Sequence, residues 1–243
     1  MLENISNDKV FFLDIETVPQ YPGYDKMPEN FREFWDHKAE FIKGKDTLQS
    51  PEELYPRAGI YAEFGKIICI SIGIFTFNNN KHQFRVKSFF GDDETKILES
   101  FNGLMSSYFN LKKNFLCAHN GKEFDFPYIS RRLIINQMPL PEPLDIQGKK
   151  PWETEHLLDT LHLWRFGDYK SYTSLNLLCH ILDVPTSKDD IEGKDVWHVY
   201  WMEKNIKRIV KYCEKDVIAV ARLMQRFKGL ELLTDDEIEV IDE

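Results

Sequence analysis

Two acids set inside a buried-strand pattern constrain this chain more than any other feature. Phe11-Phe12-Leu13-Asp14-Ile15-Glu16-Thr17 reads as a strand, because aromatic and β-branched residues dominate it. Strand side chains alternate between faces. Asp14 and Glu16 therefore project together with Phe12, while Phe11, Leu13, Ile15 and Thr17 project from the other face. Neighbouring carboxylates in apolar surroundings are costly unless paired or bound to a cation. Each also raises the pKa of the other. A divalent metal is the simplest way to neutralise them; a strand end with two solvated acids is the plainer reading.

The chain has 243 residues, which suits one domain over 1–243 with an insertion at about 20–62. Apolar content of 42% supplies a sizeable core. The N-terminal residues lack a signal pattern, and the longest apolar stretch, 67–75, is too short to span a bilayer as a helix. Cys69, Cys117, Cys179 and Cys213 are scattered in apolar surroundings without a C-x-x-C, which predicts reduced core thiols and a cytoplasmic protein. The net charge of −9 argues against broad duplex binding. Six of those charges lie in 235–243, and the rest of the chain carries −3. An enzyme gripping a few nucleotides at a strand end needs few phosphate contacts, so charge leaves that class open. The acidic tail, about 234–243, reads as disordered.

Residues 30–43 can form a helix whose aromatics, Phe31, Phe34, Trp35 and Phe41, fit a core better than a base-stacking surface. Isoleucine-rich 66–77 and then 82–90 read as a hairpin around Asn78-Asn79-Asn80. Asp92 or Asp93 caps a helix through Tyr108, and 114–118 is a short buried strand. Pro127 suits the first turn of a helix running to about Asn136. Residues 174–182 form a short helix, 185–195 a loop, and 205–227 a long amphipathic helix. The order predicts an α/β domain with a mixed sheet.

Asp125 alone could be a turn former before a helix. Asn120-Gly121, however, turns the chain at the end of a buried strand, beside Asp14 and Glu16 if the two strands are neighbours. On the last helix, Ile206, Ile209, Val210, Cys213, Val217, Val220 and Met224 form an apolar stripe, and Lys207, Arg208, Lys211, Glu214, Lys215, Arg222 and Arg226 the opposite face. Tyr212 and Asp216, four apart, stack at the margin of the stripe. A bland surface acid belongs among the other charges. Four carboxylates on separate elements can hold two Mg²⁺ or Mn²⁺ ions. Two ions about 4 Å apart clamp the attacking and leaving oxygens of a phosphodiester. A tyrosine is a poor base at neutral pH, so Tyr212 is assigned to orienting the attacking water.

Phe-x-x-Asp-x-Glu-Thr, Asn-Gly-x-x-Phe-Asp-x-Pro-Tyr-Ile and Tyr-Cys-x-x-Asp-Val resemble the three exonuclease motifs of the DEDD superfamily, tyrosine subclass. The likeness is to stand-alone exonucleases related to the proofreading domain of B-family DNA polymerases, over about 10–18 and 65–228. It implies a ribonuclease H-like fold, a mixed five-stranded sheet flanked by helices, and 3′→5′ removal of nucleoside monophosphates from single-stranded ends, DNA favoured over RNA. It implies Asp14, Glu16, Asp125 and Asp216 as ligands of two divalent ions, Tyr212 as the water-orienting residue, and Thr17, Asn120 and Phe124 as substrate contacts. Asp183-Val184-Pro185 and Gly193-Lys194-Asp195-Val196 also resemble the polymerase-like group. Segment 20–62 departs from that pattern. Rival readings are an RNA-trimming exoribonuclease of the ribonuclease D type, a non-catalytic nucleic-acid-binding module, and an endonuclease on the same fold. Asp159 reads first as a helix cap. Ser174, with Lys170 and Tyr172, reads equally as a phosphate or base contact and as a solvated loop. The histidines lack metal-ligand spacing, and Lys149-Lys150 and Arg131-Arg132 read as solvated basic clusters.

Overall fold

The computed structural model describes residues 2–42, 49–78, 81–170, 172–185 and 191–241. Its sheet is mixed, with strands β1 (Val10–Pro19), β2 (Gly65–Asn78), β3 (Lys81–Phe90), β4 (Phe115–Ala118), β5 (Leu157–Asp159) and β6 (Ile238–Ile241) in the order β5-β4-β1-β2-β3-β6. β1 is central, antiparallel to β2 and parallel to β4. Helices α1 (Glu29–Ile42), α2 (Pro51–Leu54), α3 (Glu94–Tyr108), α4 (Asp125–Ile135), α5 (Thr160–Arg165), α6 (Leu175–Ile181), α7 (Val196–Trp201) and α8 (Ile206–Phe227) surround it. Among the described residues no helix is long and apolar enough to cross a membrane.

The alternation along β1 divides the core as its sequence predicts. Phe11, Leu13 and Ile15 pack on α3 and α4, with Leu98, Phe101, Phe126 and Ile129. Phe12 faces the other way, against Val217, Val220 and Met224 of α8. Each fully buried side chain of this kind contributes about 1.5–3 kcal/mol of burial. α8 comes close to the sheet because β2 carries Gly73 opposite Phe12. A Cβ there would stand 2.3 Å from the Phe84 ring and 2.8 Å from Val217. Close approach of another element is one reason for glycine inside a strand. The helix starts fall where capping residues stand: the Asp93 carboxylate accepts from Thr95 N and Lys96 N, Asn205 from Arg208 N, and Ser174 from Leu177 N.

Several expectations need correction. The sheet has six strands where five were expected, and part of the tail is ordered. Residues 238–241 pair in parallel with β3, Phe84 opposite Ile238 and Val86 opposite Val240. Glu239 is the one acid within that strand and pairs with Arg85 at 2.8 Å; residues 242–243 lie outside the described set. Arg222 does not lie on a solvated face. It is buried, donating to Leu233 O at 2.9 Å and pairing with Asp235 at 2.6 Å, so the start of the tail folds back on α8. Arg132 is buried as well, held by Glu94. Of the α1 aromatics, Trp35 is fully buried among Tyr55, Leu54 and Phe64, whereas Phe34 and Phe41 are exposed. Asn79 and Asn80 of the expected turn and 186–190 of the expected loop lie outside the described residues.

Candidate active site

β4 pairs with β1 only as far as Phe12, so the edge of β1 beyond it lacks a strand partner on that side. The chain leaves β4 at Ala118 and turns through Asn120, whose φ of 61° is left-handed. Asparagine tolerates that conformation better than most residues. The Asp159 carboxylate clamps the turn, accepting from Asn120 N at 2.9 Å and Lys122 N at 3.0 Å while also capping α5 through Leu161 N and His162 N. The cap expected of Asp159 is thus present, with a second role beside it. Asp159→Ala orphans all four donors and is expected to cost about 2–3 kcal/mol, read as a lower urea midpoint.

The clamped turn delivers Asp125, first residue of α4, to the open edge of β1. Its Oδ1 accepts from Ile15 N at 3.2 Å, between Asp14 and Glu16. On the other side of β1, α8 brings Cys213, Tyr212 and Asp216. The Cys213 thiol donates to Asp14 O at 3.4 Å. Asp216 lies close enough to Tyr212 to add to the effect of burial in raising its phenol. Distant parts of the chain therefore bring the four predicted acids and the tyrosine into one region.

The electrostatics of the region are unfavourable by themselves. Burial, then Asp216, Asp125 and Glu16, push Asp14 well above the usual carboxylate range. Burial, then Asp216, does the same for Glu16. Burial lifts Asp125 to about 8, against the pull of its backbone hydrogen bonds. Burial and the nearby acids raise the Tyr212 phenol, so it stays protonated at neutral pH. Asp14 Oδ2 is buried without a hydrogen-bond partner. Desolvated, mutually repelling carboxylates with an orphaned oxygen fit a divalent cation. Asp14, Glu16 and the Cys213 thiol each offer an atom within 4.8 Å of the others. Asp125 and Asp216 are felt electrostatically but stand outside that tightest group.

Thr17 and Phe124 line a cleft of about 450 Å³ with Glu16. Its other walls are Pro56, Arg57, Gly59 and Ile60, from the segment at 20–62, and Gly193, Lys194 and Trp197. Asn120 is not among the lining residues, although its Oδ1 is buried without a partner. Arg57 and Trp197 escaped sequence reasoning, since neither stands in a periodic segment; Lys194 was visible only through its Gly-Lys-Asp-Val context. Ser174 caps α6 and so is a structural contact. His119 bridges Thr160 Oγ1 at 2.9 Å and Thr173 O at 3.0 Å, as a structural histidine would. A second groove, about 340 Å³, runs beside α8 between Tyr212 and Lys207, Arg208, Lys211 and Lys215.

A ribonuclease H-like mixed sheet, with acids gathered at the edge of its central strand, defines a class of exonucleases. The chain belongs to the family of predicted 3′-5′ exonucleases related to the exonuclease domain of PolB, whose model matches residues 60–237. No curated protein matches it. The matched span contains Asp125, Tyr212 and Asp216; Asp14 and Glu16 precede it, and the fold joins them to the rest.

Proposed function

We propose that the protein is a two-metal 3′→5′ exonuclease that releases nucleoside 5′-monophosphates from single-stranded DNA ends. The observation that carries this reading is Asp125 seated on Ile15 N, between two acids of which one has an orphaned buried oxygen. Asp14, Glu16, Asp125 and Asp216 would hold two Mg²⁺ or Mn²⁺ ions, as oxygen-rich sites prefer. Bound there, the ions would supply Lewis acidity and charge neutralisation for phosphodiester cleavage. The protonated Tyr212, beside Asp216, orients a water toward phosphorus. That water's oxygen bonds to phosphorus as the bond to the upstream 3′ oxygen breaks, the water losing a proton to solvent and the 3′ oxygen gaining one from it. The cleft bordered by Thr17 and Phe124 takes the terminal nucleotide. The PolB relationship supports DNA over RNA, and four buried free thiols suit a cytoplasmic setting.

The test is digestion of 5′-labelled single-stranded DNA in Mg²⁺ or Mn²⁺, beside an RNA oligomer and a single-stranded circle. The expected result is a ladder shortening from the 3′ end, free 5′-mononucleotides and an intact circle. Faster RNA trimming would move the substrate to RNA. Inactivity with both metals would point to a binding module, and a cut circle to an endonuclease. Tyr212→Phe is expected to lower kcat about tenfold to a hundredfold with little change in KM, because it removes one hydrogen bond made to the attacking water.

A further inference from the structure

Between α5 and α6, three aromatic side chains are exposed: Phe166 is 93% exposed, Tyr169 74% and Tyr172 63%. Phe166 also holds a left-handed backbone, φ 46° and ψ 34°, at the end of α5. A bulky residue rarely adopts that conformation, and glycine would take it at no cost. Two unfavourable features at one residue point to a use. Tyr172 and Arg165 contact the turn that delivers Asp125, and Tyr169 contacts α5. The Tyr172 ring lies 6.5 Å from that of His119, and Tyr169 lies 6.4 Å from His162. Arg165, just before Phe166, pairs with Glu123 of the turn at 3.1 Å. Partial burial of the Tyr172 hydroxyl, then the nearby Asp125, Asp159 and Asp216, raise its phenol. Exposed Lys170 stands between the two tyrosines in sequence. Another exposed aromatic pair, Phe34 and Phe41, sits on a helix whose acids, Glu29, Glu33, Asp36 and Glu40, outnumber its cations, Arg32 and Lys38.

We propose that Phe166, Tyr169 and Tyr172 form a stacking platform for unpaired bases upstream of the scissile linkage, so that the enzyme holds single-stranded rather than paired 3′ ends. The assignment rests on the exonuclease reading above and adds the chemistry of substrate capture. Every base has a π-face, so aromatic platforms hold single strands with little sequence preference. A paired base keeps its faces stacked within the duplex and cannot lie on the rings.

The test is fluorescence anisotropy of the full chain in Ca²⁺ with two labelled DNA 12-mers. One is intact; the other is abasic at the three positions upstream of an intact 3′ nucleotide, so the terminal cleft sees the same ligand in both. The wild type is expected to bind the intact strand about tenfold or more tightly than the abasic one. Phe166→Gly and Tyr172→Leu each reduce that ratio, Tyr172→Phe restores it, and the triple leucine variant abolishes it. Phe166→Gly should unfold no earlier than the wild type, because glycine suits the backbone, so its weaker binding cannot come from misfolding. Equal affinity of the wild type for both strands, or a triple variant that still discriminates, would overturn the platform. Base discrimination in a protein that releases no mononucleotides in Mg²⁺ or Mn²⁺ would retain the platform and reject the nuclease.

Discussion

Asp14→Asn is expected to slow hydrolysis of single-stranded DNA at least about a thousandfold and, in chelator, to raise the melting temperature. On the proposed two-metal mechanism, the first effect follows from losing a ligand to ions that would contribute several kcal/mol to transition-state stabilisation, since about 4 kcal/mol is a factor of a thousand. The second follows from Asp14 being desolvated and repelled by Asp216, Asp125 and Glu16. A neutral amide relieves both penalties, the trade between stability and function seen at many active sites. The same logic sets a pH dependence. Asp14, Glu16 and Asp125 have folded pKa values above their unfolded ones, with Asp125 at about 8 against a reference of 3.8. The stability they permit is complete below about pH 4 and is lost as the pH rises through their folded values. The metal-free protein should therefore melt progressively earlier from about pH 4 to about pH 8, less steeply in Asp14→Asn, and Mg²⁺ should offset the loss most at the alkaline end. Scanning calorimetry with and without EDTA measures all three trends. An Asp14→Asn variant with a tenth of wild-type activity would refute the ligand assignment.

Glu94→Ala is expected to cost about 3–5 kcal/mol, the largest stability loss outside the sheet core, because it strands a buried guanidinium. Glu94 opens α3 and takes two bonds from Arg132 of α4, to Oε1 at 2.9 Å and Oε2 at 2.5 Å. It also accepts from Ile67 N of β2 at 2.7 Å, while Arg132 donates to Ala62 O at 2.8 Å. One ion pair thus ties α3, α4, β2 and the end of the 20–62 segment together, and α4 begins with Asp125. Replacing both partners, Glu94→Ala with Arg132→Met, should recover much of the loss, since no unpaired charge remains buried. Urea denaturation of the single and double variants decides it. A double variant as unstable as Glu94→Ala would show that the tether, rather than the stranded charge, carries the energy.

What could be read in the sequence follows from where local pattern and tertiary environment agree. β1, the β2–β3 hairpin, α3, α4 and α8 were legible because each buries one continuous face, which imposes a period on the residues. The acids and Tyr212 were legible because they interrupt those periods: a carboxylate in an apolar strand or beside an apolar stripe contradicts its neighbours. β6 was not, since Glu239 and the surrounding acids masked the alternation of Ile238 and Val240, and its pairing is set by β3. Arg132 and Arg222 looked solvated because their partners, Glu94 and Asp235, are distant in sequence or sit in the acidic run. Arg57 and Trp197 reach the cleft from segments without periodicity, so only the folded chain reveals them.

The order of the acids along the polypeptide has a consequence for biosynthesis. Asp14 and Glu16 leave the ribosome first, Asp125 follows, and Tyr212 and Asp216 arrive after both, on a helix that packs onto β1. A nascent chain without α8 therefore cannot gather these groups beside β1, so the region is assembled by the docking of its last-made helix rather than by local folding.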